Sequence, residues 1–264
     1  MLELLKTEFY KLRKSKAFWI CLVLSFAISA AFVFAIKQGL VLAGLPGADK
    51  DLKTFLDMAP NLGGAWVIGQ NMSQGVVTMI FAAFVSIFVS SEFQYGTMKN
   101  TLSRGRGRTQ VYLSKLIVGI VAGLAMLGAF VLASGVMGSL FWGWDPNGIV
   151  TPGNFAAMLL SEALLMSAFT AVFVLVGMTM RSSGGTIAVN ILLVVMFSTI
   201  LSAIGLLIHN SVNLSSFWLS DLMSAMATLQ PAAGAIPKAL GMGVIYLVGA
   251  SVLGLGFFRN TDVK

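Results

Sequence analysis

The chain has 264 residues, of which 57% are hydrophobic and only 10% are charged, and its formal net charge is +7. A soluble globular domain carries about 25% charged residues. Because the deficit extends along the whole chain, the composition indicates a polytopic membrane protein rather than a soluble domain with an anchor. The basic residues lie in short clusters between apolar runs, a pattern of membrane topology that argues against nucleic-acid binding.

Residues 1–16 combine an apolar stripe with basic residues on the other faces. Leu2, Leu5, Phe9 and Leu12 recur at helical spacing, which predicts an amphipathic helix lying in the membrane interface. The alternative is a basic N-terminal region that only orients the first span. The apolar run that follows is too long for a typical signal-peptide core, so we expect an uncleaved span.

Long apolar runs predict six transmembrane helices in a single all-α transmembrane domain covering residues 1–264. The expected spans are 17–36, 70–90, 116–141, 155–180, 186–208 and 239–258. Residues 91–115 form a charged loop between the second and third spans. Residues 209–238 are less apolar and predict an extracellular amphipathic or re-entrant segment with Phe217, Leu219, Leu222, Met223 and Met226 on its apolar face.

The distribution of basic residues predicts the orientation. With the N-terminus inside, the inner segments hold thirteen Lys and Arg residues and the outer segments hold four. Cytoplasmic segments carry an excess of Lys and Arg. We therefore expect both termini on the cytoplasmic side of a cell membrane.

The sequence contains none of the motifs expected of an enzyme acting by itself. There is no G-x-x-x-x-G-K-[ST] loop, no H-E-x-x-H and no nucleophile elbow. The only cysteine, Cys21, and the only histidine, His209, leave no disulfide and few metal-ligating or acid–base combinations. We expect no catalytic residue, no bound metal and no nucleotide hydrolysis by this chain.

Glu162 is the only ionisable residue inside a predicted span. An ionised side chain near the centre of a span costs about 2.5–3.5 kcal/mol, and less near the interface. One interpretation is an acid that contacts substrate or gates a dimer. The other, which we favour from the sequence, is a group that reaches the headgroups or pairs with a polar neighbour.

Further polar residues cluster on faces of two predicted spans. Asn71, Gln74 and Thr78 share a face of the second span, and Asn190 and Ser198 share a face of the fifth. Together with Glu162 they could line a substrate path between two subunits. They could equally be interhelical hydrogen-bonding groups, which is the commoner use of such residues.

The loop 91–115 combines a short motif with a run of arginines. The motif is Glu92-Phe93-Gln94-Tyr95-Gly96-Thr97-Met98-Lys99-Asn100-Thr101-Leu102-Ser103, and the basic run is 104–108. The basic residues set topology and contact anionic lipid whatever else they do. The motif resembles the cytoplasmic loop of the ABC type-2 exporter permeases, in particular the stand-alone bacterial permeases of bacitracin resistance and lantibiotic immunity. Residues 8–16 resemble the N-terminal helix of the same group.

This resemblance implies a type V exporter fold and a division of labour between subunits. Such permeases pair with a second copy or a sister permease and bind two copies of a separate ABC ATPase, which holds ATP and Mg²⁺, so that the permease binds no cofactor. The N-terminal helix would be the connecting helix. The ATPase-coupling helix would comprise Glu92, Phe93, Tyr95, Gly96, Thr97, Lys99, Leu102 and Arg104. The implied function is export of an amphipathic substrate, such as a peptide antibiotic, across a bacterial cytoplasmic membrane.

Two other function classes remain open from the sequence. One is a secondary transporter or channel without an ATPase, which is disfavoured because only Glu162 is available to couple ions. The other is a membrane docking or regulatory protein whose charged loop binds another partner.

Overall fold

The computed structural model describes residues 1–44, 63–73, 75–98, 107–145, 148, 151–208, 213–227, 231–232 and 234–260. Within these ranges the chain is helical, with no β-strand. The helices are α1 (Leu2–Lys14), α2 (Lys16–Ala43), α3 (Gly64–Ser73), α4 (Val76–Gln94), α5 (Arg108–Trp142), α6 (Pro152–Met180), α7 (Ser183–Val195), α8 (Phe197–Leu207), α9 (Leu219–Met226) and α10 (Ala235–Asn260). A short 3₁₀ helix, Leu214–Phe217, precedes α9.

Five of the described helices, α2, α4, α5, α6 and α10, are long and apolar enough to cross a membrane. The bent pair of α7 and α8 passes the same test as one unit, which brings the possible number of spans to six. The predicted all-α polytopic membrane fold is therefore confirmed. The cytoplasmic location of the termini stays a prediction.

The helix bounds differ from the predicted spans in two instructive places. The predicted second span, 70–90, is not one helix, because α3 ends at Ser73 and α4 begins after Gly75. Gly75 has a φ of +65°, a left-handed conformation that glycine adopts without steric cost. The helix of the third predicted span, α5, is 35 residues long and begins at Arg108, eight residues before that span. Its length of about 52 Å exceeds the ~30 Å of hydrocarbon, so polar residues extend it beyond the apolar layer.

The interior of the bundle is built around α6, whose second half is almost wholly buried. Phe169 and Phe173 stack on each other, and Phe173 also meets Phe81 of α4. Helix α5 packs closely against α6 and α4 because it has glycine at the points of contact. A Cβ on Gly119 would lie 2.8 Å from Cγ2 of Thr170, and one on Gly123 would lie 2.8 Å from Cζ of Phe81. Both glycines therefore permit close helix packing.

The pair of α7 and α8 is bent by 53° at Met196. Residues just before and within α9 bond to the last turn of α7. The indole Nε1 of Trp218 donates to the Leu193 carbonyl at 3.1 Å, and Oγ of Ser220 donates to the Val194 carbonyl at 3.0 Å. Helix α9 buries Leu219, Leu222, Met223 and Met226, the residues predicted for its apolar face, whereas Phe217 is partly exposed. The side of the membrane on which this segment lies stays a prediction.

Candidate functional site

Helix α1 is positioned by an amphipathic pattern and by a serine cap. Leu4, Glu8 and Leu12 are its buried residues, spaced four apart on the face that packs against α5. Ser15 ends α1 with an extended backbone and starts α2, because its hydroxyl accepts a bond from the Phe18 amide at 3.4 Å. The predicted N-terminal helix is therefore present and leads directly into the first candidate span.

Four charged side chains from three helices meet where α1 crosses the bundle. We call Glu8 and Lys11 of α1, Glu92 of α4 and Lys115 of α5 the charge cluster. The Lys115 ammonium lies 2.6 Å from carboxylate oxygens of both Glu8 and Glu92. The Lys11 ammonium lies 2.7 Å from the same two residues. The cluster therefore ties α1, α4 and α5 together at one end of the bundle, the charged end.

The composition of the cluster compensates for its burial. Two acids face two bases, so the cluster carries no net charge when all four groups are ionised. The Lys115 side chain is only 1% exposed, and its ammonium also lies 4.4 Å above the Phe88 ring centre. Burying an ammonium group without partners would cost roughly several kcal/mol of free energy. The cluster is tolerated because each base has two carboxylates.

Lys11 closes the cluster on its more exposed side. Burial alone would lower the pKa of Lys11, but hydrogen bonds to the carboxylates of Glu8 and Glu92 outweigh it and raise the pKa. Because an unperturbed lysine has a pKa of about 10.4, Lys11 remains charged throughout the physiological range.

The chain turns sharply after Glu92 and exposes three of the predicted coupling residues. Tyr95 is 81% exposed, and Gly96 and Thr97 are exposed beside it. Gly96 has a φ of +66°, and nothing lies within 4 Å of where its Cβ would be. The Thr97 hydroxyl donates to the Glu92 carbonyl at 3.3 Å. This exposed turn, residues 95–97, begins three residues after the charge cluster.

Phe93 links the turn to the opposite side of the bundle. Its ring meets Phe258 of α10 edge-on at 6.5 Å, and the Arg181 guanidinium lies 5.8 Å from its centre. Arg108, at the start of α5, donates to the carbonyls of Phe258 and Arg259 at the end of α10. The ends of α4, α5, α6 and α10 therefore converge around this segment.

The predicted coupling residues are thus divided by the structure. Glu92 and Phe93 point into the bundle, whereas Tyr95, Gly96 and Thr97 are exposed. Lys99, Leu102 and Arg104 lie outside the described residues. Sequence reasoning assigned Glu92 to the surface that contacts a partner, but its carboxylate is enclosed by two lysines.

Sequence reasoning gave no role to Glu8 and assigned Lys11 and Lys115 only to the basic segments that set topology. One signal was available for Glu8, which is an acid on the apolar stripe between Leu4 and Leu12. No comparable signal marks Lys115, which borders an apolar run as a topology-setting lysine would. Its burial depends on the two acids that other helices bring to it.

Most of the residues predicted for a substrate path form hydrogen bonds within the chain. Asn71 donates to the hydroxyls of Ser29 and Ser134, each at 2.8 Å. Asn190 donates to the Ser86 hydroxyl at 2.8 Å. The remaining pairs are Thr78 with Met223 and Ser198 with Asp221, while Gln74 lies outside the described residues. These contacts correspond to the interhelical alternative.

Glu162 differs from every other predicted path residue with described contacts. Its side chain is fully buried in α6, and neither carboxylate oxygen has a hydrogen-bonding partner among the described residues. The interpretation favoured from the sequence, an acid that reaches the headgroups or pairs with a polar neighbour, does not match this position.

Comparison with known families covers both the charge cluster and the exposed turn. A family model described as "ABC-2 family transporter protein" matches residues 4–199, well over half of the chain and all of the charge cluster. The chain belongs to the ABC-2 transporter family. This ABC-2 permease is therefore a transmembrane subunit of an ABC transporter, and it associates with an ABC ATPase. No curated protein matches the sequence.

Proposed function

We propose that this ABC-2 permease exports an amphipathic substrate, such as a peptide antibiotic, from the cytoplasm or membrane of a bacterium. Two copies, or one copy and a sister permease, bind two ATPase subunits, on which ATP and Mg²⁺ are held. ATP binding closes the ATPase pair and rocks the permeases. The motif at 92–103 and the family support this assignment.

The charge cluster is the observation that carries the proposed coupling route. The exposed turn offers the surface that an ATPase would contact, and Tyr95 is its most exposed side chain. Glu92 lies one turn earlier on α4 and is held by Lys11 of α1 and Lys115 of α5. Because these contacts are short and Lys115 is buried, a displacement of the turn moves α1, α4 and α5 together. The cluster thus conveys movement of the ATPase into the bundle.

Tyr95→Ala tests the contact surface. We expect the permease to insert and fold normally, because Tyr95 packs against little of the chain, while its affinity for the ATPase falls by about tenfold or more, as for a central aromatic interface residue. The measurement is binding of the partner ABC ATPase subunit to the purified full-length chain in nanodiscs. The matched control is Leu207→Ala, a side chain of similar exposure at the end of α8, which should bind the ATPase normally.

ATP-dependent transport by the reconstituted permease–ATPase complex separates the proposal from a secondary transporter. We expect export of an amphipathic peptide into sealed vesicles only with ATP present. Transport that continues with an ion gradient but without ATP would contradict the proposed function. Equal ATPase binding by Tyr95→Ala and the wild type would remove the exposed turn from the coupling surface.

A further inference from the structure

The three buried glutamates of this chain have opposite surroundings. Glu8 and Glu92 each lie within 2.7 Å of two lysine ammonium groups. Glu162 is more deeply buried than either, with no exposed surface, and its two oxygens have no partner among the described residues. The hydroxyl of the adjacent Ser161 is also buried and without a partner there. Buried acids are normally paired. Glu162 has no such partner in the described part of the chain, although Glu8 and Glu92 each have two, and this difference points to a bound ligand.

The described cations at the far end of the bundle, opposite the charge cluster, already have partners. Lys37 near the end of α2 lies 3.9 Å above the ring centre of Phe141. Lys238 near the start of α10 lies 4.1 Å above that of Phe217 and donates to Ser216 at 2.8 Å. Neither of these described lysines pairs with Glu162, which is set about 15 Å along α6 from its far-end start.

An apolar groove opens on the same face of α6 as Glu162. The groove has a volume of about 490 Å³ and is lined by α3, the second half of α5, Trp144, and Phe155 and Leu159 of α6. This volume lies within the usual range for small-molecule sites. Phe155, Leu159 and Glu162 are spaced as i, i+4 and i+7, which places them in one row along the helix. Glu162 is not itself among the residues that line the groove, and it follows Leu159 in this row by about 4.5 Å along the helix axis.

We propose that Glu162 and this groove form a binding site for an amphiphilic cation, with the ammonium group on Glu162 and the alkyl chain between α3, α5 and α6. The ligand supplies the positive charge that the described residues do not, and its chain covers the exposed apolar surface of Leu132, Val136 and Leu140. The proposal rests on the proposed export function in one respect, because it assigns the cargo to the class of amphiphilic amines.

Fluorescence of Trp144 provides a local test. The probes are 12-bromododecylamine and 12-bromododecanol, which share a quenching bromoalkyl chain and differ in the charged head. The full-length permease is placed in phosphatidylcholine nanodiscs, and half-saturating concentrations for quenching are measured. Trp144→Phe identifies the part of the signal that comes from the groove. We expect the amine to bind the wild type at least about tenfold more tightly than the alcohol, as for a charge-assisted hydrogen bond.

Glu162→Gln keeps the size of the side chain and removes its charge. We expect this variant to lose the preference for the amine and to bind the alcohol as before, while Leu159→Phe, which fills the groove without adding a tryptophan, weakens quenching by both probes. Glu3→Gln on the exposed face of α1 is the matched control and should retain the wild-type preference.

Two results would overturn the site. Equal binding of amine and alcohol to the wild type would mean that Glu162 holds a proton or has another partner, and this comparison needs no variant. A preference that persists in Glu162→Gln would place the cation elsewhere. Probe binding requires no ATPase, so failure of this site is distinguishable from failure of the export function, which ATP-dependent transport tests separately.

Discussion

Lys115 is the most deeply buried charge of the cluster, and two carboxylates lie 2.6 Å from its ammonium. Removing one partner of a buried ion pair is more harmful than removing the whole pair, because the remaining charge stays in a poorly solvated site. The cluster therefore makes α1, α4 and α5 depend on one another, in addition to any role it has in coupling.

We predict that Glu92→Gln lowers the free energy of unfolding by at most about 3–5 kcal/mol. The loss is smaller than this limit because Glu8 still pairs with both lysines. The amide retains the size of the carboxylate but leaves two positive charges against one negative charge. Thermal unfolding of the purified protein in detergent measures the effect. The double variant Glu92→Gln/Lys115→Met, which removes one charge of each sign, should be more stable than Glu92→Gln alone.

Lys11→Gln is the control within the same cluster. The Lys11 side chain is 42% exposed, so solvent compensates for much of its lost charge, and we expect a loss of no more than about 1 kcal/mol. If Lys11→Gln and Glu92→Gln destabilise the protein equally, burial does not determine how much each charged group of the cluster contributes to the free energy of unfolding.

The sequence predicts a coupling role for residues of the 92–97 motif, which stays a prediction, but it does not show all of their surroundings. Resemblance to a family identified Glu92 and the turn after it. A linear sequence does not show that Glu8 and Lys115 approach Glu92 from helices 84 and 23 positions away. The buried partners were therefore missed, whereas Tyr95 is exposed on a turn formed by its own neighbours, and its role in coupling stays a prediction.

The bend between α7 and α8 has its cause in another element. The residue at the bend is Met196 rather than proline or glycine, which are the usual sequence signals for a kink. Trp218 and Ser220 instead donate to carbonyls in the last turn of α7. The apolar run 186–208 predicted a span from composition alone, and a break imposed by a distant side chain cannot be read from that run.

We predict that Trp218→Phe destabilises the protein by about 1–3 kcal/mol, because it removes the indole donor and leaves the Leu193 carbonyl with one fewer partner. Phenylalanine retains an aromatic ring beside Phe169, Phe197 and Tyr246, so the loss combines the missing hydrogen bond with the smaller volume of the ring. Thermal unfolding in detergent is the measurement.

Trp19→Phe is matched to this variant. The Trp19 indole also donates to a backbone carbonyl, that of Arg13 at 2.9 Å, but its side chain is 51% exposed. We expect a change within about 0.5 kcal/mol, as for most surface substitutions. A loss at Trp19 as large as that at Trp218 would mean that the bend is not stabilised by its buried donor.

For the whole molecule, the distribution of basic residues and the lengths of the helices must both fit one membrane topology. The apolar runs predicted six spans because hydrocarbon thickness dictates how long an apolar helix must be. Five described helices meet that requirement individually, and α7 with α8 meets it only as a bent pair. The thirteen-to-four distribution of basic residues assumes that this pair crosses, which sets the segment after α8 opposite the exposed turn and stays a prediction.

Cysteine accessibility tests this threading. Cys21 is the only cysteine, so Cys21→Ser gives a background in which Tyr95→Cys and Asn213→Cys can be labelled one at a time, and both positions are exposed. We predict that a membrane-impermeant maleimide labels Asn213→Cys in intact cells and Tyr95→Cys only after permeabilisation. Three crossings, by α5, α6 and the α7–α8 pair, separate these positions. A re-entrant pair would leave two crossings and bring both cysteines to the same side, whereas the reverse labelling pattern would invert the orientation of the bundle.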